Sequence, residues 1–148
     1  MIEKDQIIQQ CISITNKRIA ETQQAMDMAN ESILNDTKSS MGDKYETSRE
    51  MAQQELNRLQ IQLDRAEADL SILKNIVFLK GFRVGVGSLV QTDQYHYFIA
   101  SSIGPIKMQD QNIMVISKES PIGKLLIGKT IGDEITFNEN NFKITSIS

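Results

Sequence analysis

"SSMGDKYETSRE", residues 39–50, lies at the centre of a mirror. Counting back from it, a 4,3 spacing selects Ile33, Ala29, Met26, Thr22, Ile19, Thr15, Ile12 and Ile8; counting forward, the same spacing selects Ala52, Leu56, Leu59, Leu63, Ala66, Leu70, Leu73 and Val77. Each set is a heptad seam, the mark of a helix that packs along one stripe against another helix. Paired in opposite directions, from Ile8 with Val77 to Ile33 with Ala52, the two seams put the fold point between residues 42 and 43. Gly42, the only glycine in the first eighty residues, stands there and can take the dihedrals of a tight reversal. The pattern predicts an antiparallel helical hairpin over 1–80 with its tip near 40–46, each arm on the order of 50 Å long. The competing arrangement is an intermolecular coiled coil, which would make the chain a dimeric adaptor, because heptads alone do not name their partner. The coincidence of the breaker with the mirror centre favours the intrachain hairpin, and a monomer is expected.

Beyond "FLKGFRVGVGS" the hydrophobic period changes from about 3.5 to about 2. Gly81, Gly85 and Gly87 mark the passage to a second domain, 81–148. Five strands are predicted: "SLVQT" (88–92), "YHYFIAS" (95–101), "NIMVIS" (112–117), "EITFN" (134–138) and "NFKITSIS" (141–148), with "ENN" as a hairpin turn between the last two. Between the third and fourth strands, Ser120 can cap a short helix, Pro121 suits its first position, and Gly128 suits its end. The fold class is therefore α+β: a helical hairpin followed by a small, mainly antiparallel sheet crossed by one short helix.

Composition narrows the function classes. Residues 1–80 hold ten Lys/Arg against thirteen Asp/Glu, and residues 81–148 hold six of each, so neither half is a basic nucleic-acid surface. Glu3 and Asp5 interrupt the N-terminal stretch as they would not interrupt a secretory signal, and no run approaches a membrane span; a cytoplasmic protein is expected. Cys11 is the only cysteine and falls beside the apolar stripe, where packing accounts for it. His96 is the only histidine, flanked by Tyr95 and Tyr97 with no second His, Cys cluster or carboxylate pair nearby in sequence, which argues against a zinc or catalytic role. The chain contains no Walker loop, dinucleotide fingerprint or nucleophile elbow.

The acids at the predicted tip admit two readings on the same atoms. Asp43 three residues before Glu46 is a capping-box variant, in which each side chain bonds the other's backbone amide. The same spacing offers two carboxylates to Mg²⁺, a hard ion that takes one or two of them together with water and phosphate oxygens.

Gly42, Asp43 and Glu46 match a G-D-x-x-E pattern, while Ser120-Pro121-Ile122, Leu126-Ile127-Gly128-Lys129 and Gly132-Asp133 match a C-terminal signature; in both places the chain resembles the Gre family of bacterial transcript-cleavage factors. The resemblance implies a transcription elongation factor whose hairpin enters the secondary channel of RNA polymerase. It also implies an FKBP-like domain over 81–148 that docks at the channel rim. By the same resemblance Asp43 and Glu46 are the tip acids, holding Mg²⁺ shared with the polymerase active site and acting on the 3′ end of backtracked RNA, and Glu119, Ser120 and Pro121 form the docking turn. Such a protein is no enzyme by itself; it stimulates the nuclease activity of the polymerase. The chain departs from cleaving members at the tip, with Lys44-Tyr45 where Leu-Ser is usual and Thr47-Ser48-Arg49-Glu50 where Asn-Ala-Glu-Tyr is usual, and Glu119 replaces the usual Asp. Those departures keep a second function open, a non-cleaving regulator that occupies the same channel.

Overall fold

The computed structural model describes residues 2–36, 42–78 and 81–148, with the side chains of 36 and 42–46 excepted. Two helices of 33 residues each, α1 (Lys4–Asp36) and α2 (Gly42–Lys74), form the long N-terminal hairpin. The seam holds along both. Ile8, Thr15, Leu59, Ala66 and Leu73 are buried, the seam positions between them are partly buried, and most of the residues separating them are exposed. Thr22 sits at the seam because its hydroxyl donates to the Arg18 carbonyl at 2.8 Å, which satisfies the polar group within its own helix. On the outer faces, Gln53 with Asn57, Glu55 with Arg58 and Gln60 with Asp64 link positions three or four residues apart, the spacing at which side chains on one helix face meet.

Two expectations fail at the helix ends. Val77 is 67% exposed and outside the helix, because α2 stops at Lys74, where the Asn75 side-chain amide and backbone N–H both donate to the Ser71 carbonyl and end the ladder. Gly42 is the first residue of α2 and not a turn residue, and residues 37–41, which the expected tip near 40–46 partly covers, lie outside the described part.

By its contacts the chain divides into two compact units: Ile14–Leu70, and Met1–Ser13 together with Ser71–Ser148. Within the first, Thr22 and Ala25 share a groove with Leu59 and Ala66, and Ala29 and Ser32 share one with Ser48 and Ala52. As α1 advances, its neighbour on α2 recedes, which is the antiparallel order of the mirror.

The second unit is built on a six-stranded sheet of β1 (Leu89–Thr92), β2 (His96–Ala100), β3 (Gly104–Met108), β4 (Gln111–Ser117), β5 (Glu134–Phe137) and β6 (Asn140–Ile147), in the order β3-β4-β2-β1-β6-β5. Only the β2–β4 pairing is parallel. The five expected strands are present, and β3 is an addition. Pro105 hides it in the sequence, and its place at the sheet edge is where a strand tolerates a residue without an N–H. The last hairpin turn is Asn138–Glu139, both at positive φ (51° and 67°), not the expected "ENN"; Gln109–Asp110 makes the same two-residue turn between β3 and β4.

Both sheet faces are buried. On one, Val90, Tyr97, Ile99, Phe142 and Ile144 pack with Ile122 and Leu126 of α3 (Pro121–Leu126). The other carries Leu89, Phe98, Ile106, Ile113 and Val115, all within 5% of complete burial. Since α3 lies on the opposite face, its cover comes from the helix ends that share this unit, where Ile7, Cys11 and Leu73 are equally buried and Ile76 closes on Gly87. No helix among the described residues is long and apolar enough to cross a membrane. A fragment restricted to 81–148 will therefore expose the Phe98 face: it is expected to bind a hydrophobic dye and to melt at lower temperature than the full chain, as fluorescence and calorimetry would show.

Candidate functional site

The candidate residues fall in two places. Asp43 and Glu46 occupy the first turn of α2, three positions apart and so on neighbouring points of one helix face. Their side chains lie outside the described residues. Because α2 begins at Gly42, Asp43 stands inside the first turn and not at the cap, a position where its charge still suits the helix amino end. Among the described residues no three His, Cys, Asp or Glu side chains come together as a metal site.

Glu119, Ser120 and Pro121 form the turn from β4 into α3. Ser120 is extended (φ −65°, ψ 158°); its Oγ accepts from the Gly123 N–H at 3.0 Å and donates to the Ser117 carbonyl at 2.7 Å. The Glu119 N–H donates to Ser117 Oγ at 3.1 Å, and the Ser120 N–H to the Ser117 carbonyl at 3.1 Å. Gly123 completes the knot, for a Cβ there would stand 2.1 Å from the Ser117 carbonyl oxygen. Ser120 is thus consumed in capping, and what the turn offers outward is the exposed Glu119 carboxylate and the Pro121 ring.

The rest of the signature staples the same unit. Gly128, at φ +82°, donates its N–H to the Val84 carbonyl at 2.8 Å, Val84 donates to the Lys129 carbonyl at 2.8 Å, and Arg83 Nη1 reaches the Gly128 carbonyl at 3.0 Å. Asp133 Oδ2 accepts from the Thr130 N–H at 2.8 Å and from its hydroxyl at 3.2 Å. The Thr130 backbone bond, more than the nearby Lys129 and Arg83 charges, holds the Asp133 carboxyl below its ordinary value.

His96 begins β2 and lines a shallow cavity with Gln94, Tyr95, Gln111 and Asn112, a set without a second strong metal ligand. The sequence reading passed over the aromatic group beside it. Tyr97 stacks on Phe142 at 5.9 Å between centroids, and Tyr95 meets both edge-on at 6.1 and 6.2 Å. The available signal was the spacing of Tyr95 and Tyr97, two residues apart and hence on one face of a strand.

A long helical hairpin followed by a sheet unit with a hydrogen-bonded strand-to-helix turn defines the fold class, α+β in two parts. Residues 81–148 match the family model described as transcription elongation factor, GreA/GreB, C-term. Residues 81–148 are thus similar to the C-terminal domain of the GreA/GreB transcription elongation factors. No curated protein matches it. Similar solved structures include the transcription factor Gfh1 (22% identity, 92% of each chain, TM-score 0.36) and GreA factor homolog 1 (Gfh1) of Thermus thermophilus (22% identity, 93% of this chain and 94% of that one, TM-score 0.37). Gfh1 of Thermus aquaticus is also similar (23% identity, 90% of each chain, TM-score 0.35).

Two outcomes follow from the turn and its staple. Gly123→Ala should destabilise the protein by about 2 kcal/mol or more through overpacking against backbone, and Ser120→Ala by about 1 kcal/mol through the lost cap, both read from denaturant midpoints. Asp133 has a folded pKa below its unfolded one, so its contribution is complete above the unfolded value, ordinarily 3.8, and is lost as pH falls through the folded value. Between about pH 5 and pH 2 the melting temperature of Asp133→Asn should fall less than that of the wild type.

Proposed function

We propose that this protein acts on elongating RNA polymerase by lodging the closed end of its hairpin in the secondary channel and stimulating cleavage of backtracked RNA. The observation that supports the proposal is the start of α2 at Gly42, so that Asp43 and Glu46 fall in its first turn, about 45 Å along α2 from its C-terminal end. Docking falls to the turn Glu119-Ser120-Pro121, whose outward groups are held by the Ser117–Gly123 hydrogen bonds. Asp43 and Glu46 would hold Mg²⁺ jointly with polymerase and RNA oxygens, and the ion would supply activation of water and charge stabilisation at the attacked phosphate. The chain's own part is to place two negative oxygens and to shield the scissile phosphate from bulk solvent. It catalyses nothing alone.

A second reading has a specific observation behind it: Lys44 lies between the two acids and Arg49 follows them, both cations in a segment whose local negative potential would otherwise attract the metal. On that reading the protein occupies the channel and slows nucleotide addition without cleaving RNA.

One preparation decides between them. With the cognate polymerase stalled in a backtracked complex, the wild-type protein should accelerate loss of the RNA 3′ segment, and Asp43→Asn/Glu46→Gln should lower that rate on the order of a hundredfold while still binding. Equal RNA survival with wild type and double variant removes the cleavage reading. Inhibited nucleotide addition in the same tubes would then favour the channel block.

A further inference from the structure

We draw no further inference here: the strongest candidate, the cavity beside the β4–α3 turn walled by Ile72, Ile76, Val77, Arg83, Val86 and Glu119, adjoins the docking turn already described, and nothing among the described residues shows what covers it.

Discussion

A narrow apolar stripe shared by two helices is the constraint on which this protein rests. Neither α1 nor α2 has strong amphipathicity, and an isolated helix in water gains little from propensity alone. Each exists because the other covers Ile12, Ile19, Leu59, Leu63 and their neighbours every three or four residues. The stripe is thin by composition, with Thr15, Thr22, Ala29, Ala52 and Ala66 among its members. The result is an arm only two helices across, whose outer surface is held by local polar pairs and not by a core.

The stripe thickens where it must do a second task. Ile7, Ile8, Cys11 and Leu73 are the deeply buried apolar residues at the helix ends, and they belong to the same compact unit as the sheet. A six-stranded sheet with large apolar side chains on both faces needs two covers, and the six-residue α3 supplies only one. The helix ends are thus structural parts of the sheet unit.

Within that module, the residues most diagnostic in sequence turn out to hold the backbone. Ser120 and Gly123 knot the β4–α3 turn, Gly128 and Arg83 tie the segment after α3 to the segment before β1, and Asp133 closes the turn into β5. The chemically available groups are their neighbours, Glu119 and Pro121. At the other candidate site Gly42 likewise starts a helix, and the acids that follow it are the groups to which the proposal gives the chemistry.

The hairpin, its antiparallel direction and its seam were legible in the sequence because a heptad repeat is a local code, read from spacing alone, and because Gly42 marked the mirror centre to within a few residues. Five strands and α3 with its Ser120 cap and Pro121 were legible for the same reason, each set by side chains within four or five positions. Tertiary structure decided the rest. That α2 ends at Lys74 and leaves Val77 exposed depends on Asn75 reaching back to Ser71, and that residues around Pro105 form a strand depends on their having β4 beside them and an empty edge beyond. The second cover of the sheet and the aromatic group at Tyr97 join residues tens of positions apart, Ile7 with Leu73 and Tyr97 with Phe142. No spacing rule encodes such meetings, because they follow from how finished elements pack and not from how any one of them forms.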